Sequence, residues 1–343
     1  SAFLTRINSD GSYAWTWATG SRSLSSECVS RVVTADAEGN LYVTGYFTGT
    51  IDFDPGPKTD EWSSQGGKFN IFLTRIGSDG AYGWTKVFSG IEFGSYLYSS
   101  VAADPAGNVY VAGEFSRTVN PTPVEGLDIL SAKGWHDAFV IRINSDGSYA
   151  WTKTMGGADA RTTAFSVTVD PKANVYVTGA FYGTVDFDPG TGVDNHSSTG
   201  QKDVFLTRIN SDGSYAWTKT MPGDSFASSN AVTTDVSGNV YMTGNFHGTV
   251  DFKPGPEADK KTAEGTYSIF ITRVNSDGSY AWTKTMGGSK AGGFGRSIVI
   301  DSANNVHVSG EFTETIDFDP EQGVDKRLSA GKYDVFVIKF AQP

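Results

Sequence analysis

Two short patterns of alternating apolar and polar residues recur along the chain. The first reads FLTRINSDGSYAWTKTM at 205–221, and close copies start at Phe3, Phe72, Phe139 and Phe270. Alternation with a period of two is typical of strands that are buried on one face. The Asn-Ser-Asp-Gly between the two halves favours a tight turn, because Asn and Asp bond to nearby backbone and Gly accepts a positive φ. Each copy is therefore predicted to be a β-hairpin.

A second hairpin is predicted after each copy of the first. It reads SVTVDPKANVYVTGAF at 166–181, with a short strand ending at an aspartate and a longer strand ending at a glycine. The repeated glycines are Gly45, Gly113, Gly179, Gly244 and Gly310. Each repeat thus supplies four antiparallel strands in meander order, here named A, B, C and D. The recurring aspartate is expected to stabilise the A–B turn; the alternative is an acidic ring at the mouth of a channel.

The repeats follow one another from end to end. The tryptophans of strand D, namely Trp15, Trp84, Trp151, Trp217 and Trp282, lie 69, 67, 66 and 65 residues apart. Four-stranded sheets repeated radially are the blades of a β-propeller. We therefore predict an all-β fold: a single five-bladed β-propeller of four-stranded antiparallel blades over residues 1–343, its ring closed by the N- and C-terminal strands. The blades are placed at about 29–90, 98–156, 164–222, 229–287 and 295–340.

The strand count exceeds what such a ring can hold. The chain starts with strands C and D and stops after A, B and C, so there are six C strands and five of each other kind. The N-terminal hairpin, 1–20, can supply the missing D strand, yet it brings a C strand for a place already taken. An unpaired strand edge invites pairing with another chain.

Two interpretations of the surplus strand stay open. In one, a terminal segment lies loose or covers its neighbour in a closed monomer. In the other, a terminal strand crosses into a next protomer, or into a next propeller of the same polypeptide. The residues that would mediate such assembly are Phe3, Leu4, Ile7, Phe336, Ile338 and Phe340.

The connection between strands B and C is the longest in each repeat. It begins Thr-Val-Asp-Phe-Asp-Pro-Gly at 184–190, and its first residues are predicted to form a short extra strand. Paired carboxylates at i and i+2 could hold Ca²⁺ together with nearby carbonyls. The candidate ligands are Asp52, Asp54, Asp186, Asp188, Asp317 and Asp319. The alternative is turn capping, which is favoured because Lys253 replaces the second Asp in one copy.

A family resemblance follows from three motifs in fixed order: ANVYVTG at 173–179, GTVDFDPG at 183–190 and DVFLTRINSDGSYAWTKT at 203–220. Together they resemble the SBBP-type β-propeller repeat of bacterial secreted and surface proteins, over essentially the whole chain. The resemblance implies a propeller, export to the cell surface or the extracellular space, and no established catalytic activity. It transfers no catalytic residues.

Composition narrows the partners. The formal net charge is −11, with scattered charges, so the surface should repel nucleic-acid phosphates. The single cysteine, Cys28, excludes an internal disulfide framework. The longest apolar runs are too short to span a membrane, and no membrane insertion is expected. The chain opens within a repeat, without Met or a signal peptide, so processing or excision from a longer polypeptide is expected.

Candidate chemistry is sparse, because residues that recur in every repeat serve what every repeat needs, which is folding. The four histidines fall at unlike positions of the repeat, and no unique reactive cluster is evident. We expect no enzymatic activity and no cofactor, with calcium as the one candidate ion. A catalytic channel would require an asymmetric cluster of acids or histidines. Trp62 and Trp135, in the B–C loops, are the candidate ligand-facing aromatics.

The function predicted from these patterns is that of a non-enzymatic, extracellular structural or surface scaffold. It would assemble end to end into fibres or tandem arrays by terminal strand exchange. The alternative is a carbohydrate-binding, lectin-like propeller whose aromatics stack on sugar rings.

Overall fold

A computed structural model describes residues 1–21, 25–64, 69–92, 99–120, 130–321 and 323–341. These residues form strands, turns and loops, and no helix lies among them. The predicted all-β class is therefore confirmed. The chain divides into two compact units, Ser1–Thr154 and Met155–Pro343, which are described in turn. The single closed ring of five blades stays a prediction.

The first unit is built from antiparallel meanders. A separate N-terminal hairpin, β1–β2, precedes the sheet β4-β5-β8-β9, and the sheet β10-β11-β13-β14 follows. The far ends of β9 and β11 also pair with each other. The strands are β1 (Phe3–Ile7), β2 (Tyr13–Ala18), β3 (Gly20–Ser21), β4 (Glu27–Ala35), β5 (Leu41–Thr48), β6 (Thr50–Asp52), β7 (Glu61–Ser63), β8 (Asn70–Ile76), β9 (Tyr82–Glu92), β10 (Ser99–Ala103), β11 (Val109–Asn120), β12 (Leu130–Ser131), β13 (Asp137–Ile143) and β14 (Tyr149–Met155).

The second unit contains two complete four-stranded sheets, β15-β16-β19-β20 and β21-β22-β25-β26, and a three-stranded sheet, β27-β28-β31. The complete sheets have the predicted A-B-C-D order. The strands are β15 (Arg161–Val169), β16 (Val175–Tyr182), β17 (Thr184–Asp186), β18 (Asn195–Ser197), β19 (Asp203–Ile209), β20 (Tyr215–Met221), β21 (Phe226–Thr234), β22 (Val240–His247), β23 (Thr249–Asp251), β24 (Lys260–Thr262), β25 (Ser268–Val274), β26 (Tyr280–Met286), β27 (Gly293–Ile300), β28 (Val306–Phe312), β29 (Thr315–Asp317), β30 (Lys326–Leu328) and β31 (Asp334–Phe340).

The turn between β19 and β20 shows why the Asn-Ser-Asp-Gly sequence recurs. The Asn210 carbonyl accepts the N–H of Gly213 at 2.8 Å, and Gly213 has a φ of 85°. The Asp212 carboxylate accepts the N–H of Ser214 at 2.8 Å. The strand register shifts just before the turn, between Arg208 and Ile209. The predicted tight turn is confirmed, and the register shift places a bulge beside it.

Each long B–C connection of the second unit contains a small hairpin of its own. The predicted short strand is confirmed as β17, β23 and β29, and each pairs with a second short strand, β18, β24 or β30. The second strands are polar, with sequences such as Asn-His-Ser, and carry no alternation of apolar residues. For that reason the sequence did not predict them. In the first unit, 121–129 lies outside the described residues.

The repeated glycine of strand B is required by a bulge in strand A. A Cβ on Gly179 would lie 1.9 Å from the carbonyl oxygen of Thr163. The register of β15 shifts at this point, between Ala164 and Ser166. Gly244 and Gly310 meet a carbonyl of their own strand A in the same way, at 1.9 and 2.0 Å. No other residue fits at this contact.

Consecutive sheets of the second unit bury one another's faces. Val204 and Leu206 of β19 belong to one hydrophobic cluster with Val240 and Met242 of the following sheet. Ile269 and the sheet after it form a second cluster of the same kind. Along β25, alternate side chains therefore face the preceding sheet, as Phe270 does, and the following sheet, as Ile269 and Ile271 do.

Candidate functional site

In the internal repeat, the recurring aspartate after strand A is hydrogen-bonded within its own A–B turn and to strand B. One oxygen of Asp170 accepts the N–H groups of Lys172 and Asn174, at 2.8 and 2.9 Å. The other accepts the Asn174 amide at 2.8 Å and the Tyr176 hydroxyl at 3.3 Å. Burial raises the pKa of Tyr176 to about 12. The geometry supports the turn-stabilising role that we predicted.

The last repeat departs from this arrangement. His307 stands where Tyr176 stands in the internal repeat, and its Nε2 lies 2.9 Å from Asp301. The Lys339 ammonium lies 3.3 Å from the same carboxylate. Hydrogen bonds from His307 and Asn305 hold the pKa of Asp301 well below its usual range. The buried tyrosine hydroxyl of the internal repeat is thus replaced by a partly exposed imidazole and an exposed ammonium.

The paired aspartates of the B–C connections cap turns. The Asp186 carboxylate accepts the N–H groups of Asp188 and Asp194, at 3.1 and 3.0 Å. The Asp188 carboxylate accepts the N–H of Gly190 at 2.7 Å. The same bonds are made by Asp52 and Asp54, and by Asp317 and Asp319.

Among the described residues, no group of three or more His, Cys, Asp or Glu is arranged to hold a metal ion. The contacts of the paired aspartates are those of turn-capping side chains. The calcium site stays a prediction.

A tyrosine of strand D joins three of the four-stranded sheets to their B–C hairpins. The Tyr215 hydroxyl donates to Asp194, which precedes β18. Tyr280 and Asp259 make the same contact, and so do Tyr82 and Asp60. The sequence did not predict this contact, because the paired positions are separated by 21 or 22 residues and their spacing carries no signal.

Trp62 and Trp135 lie in different surroundings. Trp135 is 59% exposed, as predicted. Trp62 is half-buried against the hydrophobic cluster that contains Trp17 and Phe53. Its Nε1 donates to Asp60 at 3.0 Å. The expected exposure is therefore confirmed for Trp135 and only partly for Trp62. Their role in ligand binding stays a prediction.

The tryptophans of strand D are packing residues. The Trp217 ring lies 6.1 Å from the Tyr176 ring, with the Lys219 ammonium 5.8 Å from its centroid. A Cβ on Gly278, in the C–D turn of the next repeat, would lie 3.0 Å from Trp217. Trp84 and Gly147 form the equivalent contact in the first unit. The turn therefore requires glycine for two reasons: its φ is positive, and a Cβ would have no room beside the indole ring.

Polar clefts of similar composition occur between neighbouring repeats in both units. One, of about 250 Å³, is lined by Asp170, Asn174, Arg208 and the turn residues Ser276 and Asp277. Its counterpart in the first unit, of about 330 Å³, is lined by Asp36, Asn40, Arg75, Ser145 and Asp146 among others. Both offer hydrogen-bond donors and acceptors beside each other.

The candidate assembly residues differ from one another in exposure. Phe3 and Ile7 of β1 are 68% and 56% exposed, whereas Leu4 packs against the first sheet. Phe336 is buried against the preceding sheet, with Ile338 and Phe340 partly buried beside it. Of the six predicted residues, Phe3 and Ile7 are therefore exposed, whereas the other four are buried or partly buried.

Two exposed residues of the same strand were missed. Val335 and Val337 of β31 are 86% and 76% exposed. Their register partners, Glu311 and Ser309, identify them as the counterparts of Val204 and Leu206, which are fully buried. The alternation in the sequence shows that they share a face, but it does not show that this face lacks a neighbour.

The backbone edges of both terminal sheets are also incomplete. In the described part of the chain, β31 pairs with β28 alone, and β1 pairs with β2 alone. An unpaired edge exposes backbone N–H and C=O groups.

The fold and these networks define an all-β repeat protein built from antiparallel sheets. No family model matches the chain. An uncharacterized WD repeat-containing protein of Acanthamoeba polyphaga mimivirus is 23% identical over 245 residues, which are 62% of this chain and 17% of that protein. Regulatory protein FlaEY of Caulobacter vibrioides is 25% identical over 250 residues, 70% of this chain and 24% of that protein. The chain thus spans less than a quarter of each of these relatives.

A solved structure of a protein of unknown function from Bacteroides caccae covers 74% of this chain and 92% of its own. Its sequence identity is 9% and its TM-score 0.28, too low to support an argument. None of the described residues belongs to a helix long and apolar enough to cross a membrane.

Proposed function

We propose that this protein is a non-enzymatic, extracellular scaffold of the five-bladed β-propeller type that assembles end to end through its terminal strands. The observation that carries the proposal is the pair of incomplete sheets, β1–β2 and β27-β28-β31, with their bare edges and apolar faces. Long exposed apolar edges promote association with other chains unless they are covered.

Three further observations support the scaffold. The recurring polar residues, such as Asp170 and Asp186, are used in turn hydrogen bonds. Cys28 is buried, and burial raises the pKa of its thiol to about 11, so a nucleophilic role is disfavoured. The WD repeat in the name of one relative fits a propeller, since WD repeats each form a four-stranded blade.

Light scattering coupled to size-exclusion chromatography tests the assembly. We expect the mass to rise with protein concentration, and we expect negative-stain images to show linear arrays of similar particles. A single-chain mass at every concentration, together with isolated particles in the images, contradicts the assembly part of the proposal.

A carbohydrate-binding function is the second candidate, favoured by the two similar clefts around Arg75 and Arg208. Side chains that present donors and acceptors side by side suit the hydroxyl groups of sugars. A glycan array should give hits that Arg208→Ala weakens, and Trp135→Ala tests the exposed aromatic. An array without hits removes this candidate.

A further inference from the structure

The two terminal C strands each bury only one of their faces. In β31, Phe336 is 8% exposed whereas the adjacent Val335 is 86% exposed. In β1 the pattern is reversed, since Phe3 is 68% exposed and Ala2, just before it, is 3% exposed. In the internal strand β19 the side chains on both faces are buried. Each terminal strand therefore has the covered face that the other lacks.

Resting on the assembly proposed above, we propose that the β1–β2 hairpin of a second copy replaces β31 at the edge of β28. Strands β27 and β28 of one copy and β1 and β2 of the other then form one complete four-stranded sheet, and β31 is released. The register of β16 with β19, which places Phe205 opposite Gly179, puts Phe3 opposite Gly310. It also puts Ile7 opposite Val306.

Phe3 of the incoming hairpin would take the position beside Phe318 that Phe336 occupies. In the internal repeat the rings of Phe187 and Phe205 lie 5.0 Å apart. In the last repeat Phe318 and Phe336 form the same pair at 4.9 Å. Phe3 matches Phe336 in position, so either phenylalanine can fill the pocket beside Phe318, and the two strands compete for one place.

A second contact favours the hairpin over β31. In the described part of the last repeat, the Asp325 carboxylate lies 2.7 Å from the Arg327 Nε and has no tyrosine contact like that of Tyr215 with Asp194. The N–H of Asp325 is bonded to Asp317 at 2.9 Å, so this residue occupies the position that Asp194 has in the internal repeat. Tyr13 of β2 is 65% exposed, and the exchange brings its hydroxyl to Asp325.

The hairpin is already shaped for this place. Leu4 pairs with Trp17 as Leu206 pairs with Lys219, and the bulge before the turn is also the same. The opposite face of the hairpin is anchored to its own first sheet, where the Trp17 Nε1 donates to the Phe53 carbonyl at 3.1 Å. The exchange therefore brings the rest of the second copy with it, in a head-to-tail contact that can repeat.

Two equivalent truncations test the competition. Phe3→Ala removes the incoming ring and should raise the dissociation constant of the assembly by about tenfold or more. Phe336→Ala weakens the strand that has to leave and should lower the dissociation constant. Opposite signs support the exchange, because a general loss of stability would shift both variants in the same direction. Equal signs, or no change in either, overturn it.

Cross-linking tests the contact without disturbing a packed residue. Tyr13→Cys and Asp325→Cys are prepared as separate proteins, since the native residues are both exposed. A short bis-maleimide should join them in the mixture and should join neither protein to itself. Val236→Cys, at a position that is 89% exposed, replaces Asp325→Cys in the control mixture. Cross-linking that is absent, or equally strong in the control, overturns the proposal.

The failure of this exchange differs from the failure of the proposed function. Arrays that persist with unchanged affinity in Phe3→Ala and Phe336→Ala leave the scaffold in place and eliminate the exchange. A chain that stays monomeric at every concentration eliminates both.

Discussion

The internal sheet β15-β16-β19-β20 and the terminal sheet β27-β28-β31 have nearly the same sequence pattern but different burial. Val204 and Val335 occupy the same register position, yet one is fully buried and the other is 86% exposed. The strand itself does not decide this difference; the sheet that follows it does. In a repeat protein the stability of each repeat therefore has an intrinsic part and a part contributed by its neighbours.

The largest expected effect tests the intrinsic part. Gly179→Ala places a Cβ against the Thr163 carbonyl and should cost about 3 kcal/mol or more of unfolding free energy. Gly310→Ala should cost a similar amount, because the contact lies within its own sheet. Gly331→Ala is the control, since a Cβ there meets nothing within 4 Å. Urea unfolding measures all three, and a harmless Gly179→Ala would refute the bulge contact.

The neighbour-dependent part is tested by one substitution at two equivalent positions. Val204→Ala should cost about 2 to 3 kcal/mol, because it removes buried methyl groups and leaves a cavity. Val335→Ala should cost less than about 0.5 kcal/mol in dilute protein. Chemical denaturation of the two variants gives the comparison directly. Equal losses would mean that the terminal face is covered in solution.

The internal and last repeats should also differ in their response to alkaline pH, because Tyr176 of the internal repeat is replaced by His307 in the last. Its folded pKa, about 12, lies above its ordinary value of 10, so its contribution to stability is present below pH 10 and is lost as the pH rises through 12. Tyr176→Phe should therefore reduce the decline in stability across this window. The last repeat has His307 at this position, so His307→Phe should leave the alkaline decline unchanged. Denaturation at several pH values distinguishes the two variants.

The smallest effect is confined to acid. The pKa of Asp301 is lowered by hydrogen bonds from His307 and Asn305, so its contribution is present above the ordinary pKa of 3.8 and is lost as the pH falls through the lowered value. Asp301→Asn should flatten the acid side of the stability profile. A profile identical to that of the parent protein would show that this exposed network contributes nothing.

Much of the fold could be predicted from local signals. The hairpins, the turn chemistry at Asn210–Gly213 and the sixth C strand could be read from local sequence motifs. The polar strand β18 could not be predicted, because it has no alternating apolar residues. The exposure of Val335 and the contact of Tyr215 with Asp194 depend on which sheets and loops become neighbours in space. The repeated sequence shows which contacts a repeat can make, but not which repeat lacks the neighbour needed to make them.

The contact of Trp217 with Gly278 has a consequence for how such a chain can change its length. The same contact between a strand D tryptophan and the turn glycine of the following repeat joins Trp15 to Gly80 and Trp84 to Gly147. A duplicated or deleted segment of one full period would therefore keep every such contact intact. The number of repeats can then change by whole repeats. An insertion of a fraction of a period would instead leave a tryptophan without the turn glycine that it packs against.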